Sequence, residues 1–126
     1  MFTNTNLLLD DFRDKTMTFQ ASGNSIYLTL DWQIVRNLDE FKNFILESGL
    51  PKLISFDHDL EDGDYDCDGN YSERTGKECA DWLVNHCLSL EHDLPDFIIH
   101  SQNPDGRKRI QSVFDTYYKA KEKGII

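Results

Sequence analysis

The sequence predicts one open, mostly parallel α/β sheet with helices on both faces, and three observations carry that prediction. Short apolar runs alternate with segments of helical periodicity, the pattern of βαβ units. The runs Leu7–Leu9, Leu53–Phe56 and Phe97–Ile99 each stop at an ionisable residue, Asp10, Asp57 and His100 respectively. Each long helical segment starts at a residue suited to capping: Asn37, Thr75 and Asn103.

Taken in order, Leu7-Leu8-Leu9 reads as a short buried strand closed by Asp10-Asp11. Residues 15–30 alternate weakly around Ser22-Gly23-Asn24 and are expected to form a β-hairpin insert that turns at Gly23. Trp32–Val35 is the next strand. Asn37 and Glu40 form a capping-box-like pair ahead of Leu38, Phe41, Phe44 and Ile45, a helix that Gly49 ends. Leu53–Phe56 follows as a buried strand, then a polar loop over residues 61–76. Thr75 with Glu78 opens a second helix, whose inner face is expected to be Cys79, Leu83, Cys87 and Leu90. Phe97–Ile99 is the last strand. Asn103-Pro104 starts the last helix, with Ile110, Val113, Phe114 and Tyr117 as its apolar stripe. The expected strand order is 2-1-3-4, counting these strands along the chain. At 126 residues the chain fits a single domain over 1–126 with one core.

Composition excludes several functions. A net charge of −10 repels a nucleic-acid backbone, so no duplex groove is expected. Arg107-Lys108-Arg109 comes closest to a basic patch, but adjacent residues on a helix point in different directions. The acidity suits instead a metal site, or a surface that occupies a protein partner. No apolar run approaches the ~20 residues of a membrane span. The start lacks the basic region of a signal peptide, so none is expected. Three cysteines, an odd number without zinc spacing, suit reduced thiols in a cytoplasmic protein. Asp64-x-Asp66-x-Asp68-Gly69 repeats the start of a calcium loop. Its twelfth position is Thr75 in place of a bidentate Glu, so Ca²⁺ at 64–69 is not expected.

The strand ends carry the chemistry. Ligands bind open parallel sheets outside the carboxyl ends of the strands. There the chain delivers Asp10 and Asp11, then Asp57, His58 and Asp59, then His100 and Ser101. Asp10, Asp11 and Asp57 are candidate ligands of Mg²⁺ or Mn²⁺, because clustered carboxylates repel one another without a cation. Imidazoles are suited to proton transfer, so His58 and His100 are candidate proton movers, with Asp57 and Asp59 beside them. Arg13, Arg36, Ser101, Asn103 and Arg107 are candidate phosphate contacts. The whole reads as a site for phosphate chemistry.

Four segments, Leu7–Arg13, Trp32–Arg36, Ile54–Leu60 and His100–Arg107, resemble in order and spacing the cyclic-phosphate-processing receiver-like family of bacteria and phages. The resemblance implies a receiver, flavodoxin-like fold. It matches Asp10 and Asp11 to the acidic pair of receivers, Asp57 to the phospho-acceptor position and Ser101 to the hydroxyl position. It also implies a hydrolase acting on a cyclic phosphate, either a cyclic nucleotide or an RNA 2′,3′-cyclic end. No lysine follows on a fifth strand, which argues against a phosphorelay. Two other functions fit the same residues: a binder of a cyclic nucleotide or phosphorylated ligand without turnover, and an acidic protein that blocks a partner.

Overall fold

The computed structural model of the protein describes residues 1–126, the side chain of Asp64 excepted. The elements run β1 (Thr3–Leu9), α1 (Lys15–Ser22), α2 (Ile26–Thr29), β2 (Trp32–Val35), α3 (Leu38–Ser48) and β3 (Pro51–Phe56). They continue with β4 (Gly63–Tyr65), β5 (Tyr71–Glu73), α4 (Gly76–Ser89), β6 (Asp96–Ile99) and α5 (Pro104–Glu122). Four strands form a sheet in the order β2-β1-β3-β6, every neighbouring pair parallel. This is the expected order, and β1 lies beside β3 as anticipated.

The three long helices begin where the sequence placed their caps. Asn37 accepts the amide of Glu40, and Asn103 accepts the amides of Asp105 and Gly106. Thr75 and Glu78 complete a capping box. Such caps satisfy amides that a helix start would otherwise leave without a partner.

The two faces of the sheet differ. Leu7, Leu9, Ile54 and Phe56 pack beneath α3, α4 and α5, against Phe41, Ile45, Leu83, Cys87, Ile110 and Phe114. Each fully buried Leu or Phe contributes roughly 1.5–3 kcal/mol, so most of the folding energy lies on this face. Strand alternation turns Leu8 and Ser55 to the opposite face, where Tyr27 of α2 meets Ser55.

Residues 15–30 correct one expectation. The insert follows β1 and reverses at Gly23, which has φ 71°, but both of its arms are helical. Asp14 accepts the Met17 amide and nucleates α1, and Gly23 closes it in the left-handed conformation that glycine adopts freely. The weak alternation arises because Thr18 and Tyr27 are the two residues of these helices that turn inward. Trp32 donates its indole N–H to the Ile26 carbonyl and packs on Tyr27, which fixes α2 to the sheet.

Two smaller differences follow. The polar segment 61–76 is not loop throughout, because β4 and β5 pair antiparallel and the rings of Tyr65 and Tyr71 meet at 5.2 Å. Leu90 lies at the C-cap of α4 and is exposed, whereas Cys79, Leu83 and Cys87 are buried as expected. In the calcium-like segment, Asp66 accepts the amides of Asp68 and Asn70 and so closes a turn. The Asp64 side chain falls outside the described residues. No helix among the described residues is long and apolar enough to cross a membrane. Cys67, Cys79 and Cys87 are free thiols.

Candidate active site

Strand register assembles the site. Leu9 pairs with Phe56, and Phe56 with Ile99. The next residue of each strand is Asp10, Asp57 or His100. The ladder continues past them: the Asp57 amide donates to Leu9 at 3.0 Å, and the His100 amide to Phe56 at 2.9 Å. Alternation then turns all three side chains to the face that the insert covers. One ligand atom from each of Asp10, Asp57 and His100 lies within 4.8 Å of the others, and all three residues are buried. This Asp-Asp-His cluster can chelate a divalent metal.

The charges there are unequal. Burial pushes the Asp10 carboxyl up, but hydrogen bonds from His100 and from the Arg13 and Phe12 amides outweigh it and hold the group at about 2. Asp57 has less support. Burial, and then the charge on Asp10, push it up to about 7, while its carboxylate accepts the His58 amide. Two buried carboxyls with a single ionised partner between them form a donor set that a cation would relieve. The chemistry therefore fits a divalent ion, and the ring nitrogen of His100 adds a ligand that carboxylate-only sites lack.

Asp11 is the expected ligand that does not join. It is half-buried, and burial and then Asp10 raise its carboxyl. His100 takes its place: Nε2 lies 2.9 Å from Asp10 Oδ2, and Nδ1 lies 2.7 Å from Ser55 Oγ.

His58 turns the other way. Its ring packs on Gly106 at the start of α5, so closely that a Cβ on Gly106 would sit 2.3 Å from His58 Cγ. Its Nδ1 is 2.8 Å from Asp59 Oδ1, while Nε2 is buried with no hydrogen-bond partner among the described residues. Asp59 is exposed and also receives Asn103 Nδ2. Gly76 plays a matching part beside Asp57, whose carbonyl a Cβ would meet at 1.9 Å. The two histidines thus occupy separate settings, one in the carboxylate cluster and one against α5.

The cationic residues also separate. Arg36 donates to the carbonyls of Asp10 and Arg13, at 3.3 and 2.7 Å, and braces the acidic loop. Arg13 stands 3.7 Å from Asp10 Oδ2 and lies over the Phe12 ring. Ser101 accepts the Asn103 amide, and Asn103 spends its oxygen on the α5 cap. Arg107 is exposed and lines a cleft of about 340 Å³ between the insert and α5. Tyr27, His100, Asn24 and Gln102 also line that cleft.

Sequence reading missed Ser55 and Tyr27. Ser55 left a signal, being the one polar residue in the apolar run Leu53–Phe56. A buried hydroxyl in that position needs a partner. Tyr27 left none, because its segment reads as a strand.

Residues 5–116 match the family model described as the cyclic-phosphate processing receiver domain. No curated protein matches the sequence. Among solved structures, a signal receiver domain from Vibrio parahaemolyticus is similar at 15% identity and TM-score 0.45, covering 98% of this chain and 97% of that one. The BeF3-activated N-terminal receiver domain of RstA from Klebsiella pneumoniae is similar at 18% identity and TM-score 0.42, covering 81% and 90%. Nothing about this chain's chemistry follows from either.

Proposed function

We propose, for a chain that belongs to the cyclic-phosphate processing receiver domains, the activity of a metal-assisted phosphoesterase that opens a cyclic phosphate. One observation carries this reading: Asp10, Asp57 and His100 converge, buried, at the carboxyl edge of the sheet. Asp10, Asp57 and His100 would hold the cation. The mixed oxygen and nitrogen donors favour Mn²⁺ over Mg²⁺. A bound cation supplies neutralisation of charge that develops on a phosphate oxygen.

The remaining residues arrange the ester. Arg107 in the cleft, and Arg13 beside Asp10, would hold the phosphate through their guanidinium groups. Arg36 acts on the loop. The cleft suits a small phosphorylated ligand such as a cyclic nucleotide, or the cyclic end of an RNA strand. Its free thiols agree with a reducing, cytoplasmic setting.

A second reading has an observation of its own. Both nitrogens of His100 are engaged, and His58 is buried against α5, so neither imidazole is free to exchange a proton with a ligand. That arrangement favours a protein that captures a cyclic nucleotide without turnover. Purified protein incubated with cyclic mono-, di- and oligonucleotides, with Mg²⁺ or Mn²⁺, separates the two when products are followed by mass spectrometry. Linear products that require the cation support the phosphoesterase. Thermal stabilisation by an unaltered nucleotide supports the binder.

A further inference from the structure

Four buried side chains from four separate segments form one line. Tyr27 of α2 places its hydroxyl 2.7 Å from Ser55 Oγ of β3. Ser55 Oγ is 2.7 Å from His100 Nδ1, and His100 Nε2 is 2.9 Å from Asp10 Oδ2. None of the four is more than 5% exposed.

The donor inventory gives this line a direction. An ionised carboxylate only accepts, and Asp10 Oδ1 already takes the amides of Phe12 and Arg13. His100 Nε2 must therefore carry a hydrogen toward Asp10. In the neutral ring Nδ1 is then an acceptor, so Ser55 donates to it and Tyr27 donates to Ser55. Both hydroxyl hydrogens point toward the metal-free cluster.

For His100 to serve as a ligand, Nε2 has to present its lone pair. The ring changes tautomer by exchange with water, which takes the proton from Nε2 and returns one to Nδ1, so the proton count of the ring is unchanged. Nδ1–H then donates to Ser55, Ser55 turns its hydrogen to Tyr27, and Tyr27 releases its own hydrogen from Ser55. Tyr27 lines the cleft together with Asn24, Gln102 and Arg107.

We propose that Ser55 and Tyr27 are positioning residues that couple occupancy of the Asp10–Asp57–His100 cluster to the helical insert and its cleft. This rests on the reading that a cation sits on that cluster.

The test uses the full chain with Mn²⁺ alone as the probe. Nitrogen-15 spectra of the metal-free protein should show His100 in the Nε2–H tautomer. Calorimetric titration should show Ser55→Ala lowering Mn²⁺ affinity about tenfold, as removal of a group that orients a ligating histidine does. Ser55→Thr, which keeps the hydroxyl, should recover most of it. Hydrogen exchange across residues 15–30 should change on Mn²⁺ addition in the natural protein and stay unchanged in Tyr27→Phe. Thermal unfolding without metal confirms that each variant is folded. If the natural protein takes up no Mn²⁺, the metal reading and this coupling both fall. If the natural protein and folded Ser55→Ala bind Mn²⁺ equally, or His100 rests as the Nδ1–H tautomer, the coupling alone is overturned.

Discussion

The two faces of the sheet are made from the same strands and do different work. On one face Leu7, Leu9, Ile54 and Phe56 meet three helices and exclude water. On the other, the same strands present Asn6, Ser55, Asp10, Asp57 and His100, all buried, beneath two short helices. Burying polar groups costs free energy unless each finds a partner, and burying paired carboxyls costs more. The apolar face therefore carries the stability that the polar face draws on. The difference teaches that the site depends on a fold secured elsewhere.

The largest break in that comparison is on the apolar face. Phe56 is fully buried between the rings of Phe41 and Phe114. Phe56→Ala should remove about 3–5 kcal/mol of stability, read by urea unfolding. An equally drastic loss from truncating Leu8, on the other face, would erase the distinction.

Next comes the carboxyl pair. Asp57 has an ordinary value of 3.8 and rises to about 7 in the fold. The folded state binds that proton more tightly than the unfolded chain does, so stability falls as pH rises from near 3.8 through about 7. Asp10, held at about 2, acts in the opposite sense and contributes stability that is lost as pH falls from 3.8 through about 2. Asp57→Asn keeps an acceptor for the His58 amide and removes the charge. The variant should melt higher than the natural protein at pH 8 without metal, differ little at pH 5, and gain nothing from Mn²⁺. Scanning calorimetry at the two pH values checks the sign.

The histidines sharpen the contrast further. His100→Ala should abolish Mn²⁺ uptake and, with it, any turnover that needs the cation. His58→Ala should lower the melting temperature and leave Mn²⁺ uptake unchanged, because its ring packs on α5. Equal loss of uptake in both would place His58 in the cluster.

The smallest effect is expected at the cap. Asn103→Ala should cost about 1 kcal/mol by removing acceptors for two α5 amides. It should also loosen the loop that carries Asp59, visible as faster hydrogen exchange there.

Much of this was legible from the residues. Strand order followed from the βα alternation, and the meeting of Asp10, Asp57 and His100 from apolar runs that end together at one edge. Two things were hidden. The helical insert carries no apolar stripe of its own; Asp14 and Gly23 are its signals, and the hairpin reading uses Gly23 alone, as a turn. The second was the direction of His58. Consecutive strand-end residues face opposite sides, so Asp57 and His58 could not both enter one cluster. The exchange of Asp11 for His100 has the same origin: Asp10 and Asp11 are neighbours, and only Asp10 lies in the register row.

Gly76 and Gly106 have a consequence for how such chains diverge. At each, a single added carbon would collide with the main chain or ring of a site residue, Asp57 or His58. A surface or core position can drift through many residue types, but these two have no neighbouring sequence to drift to. Across distant descendants they should therefore serve as a two-letter watermark. A chain that keeps its acids and imidazoles but carries alanine at both has lost the seats that hold them.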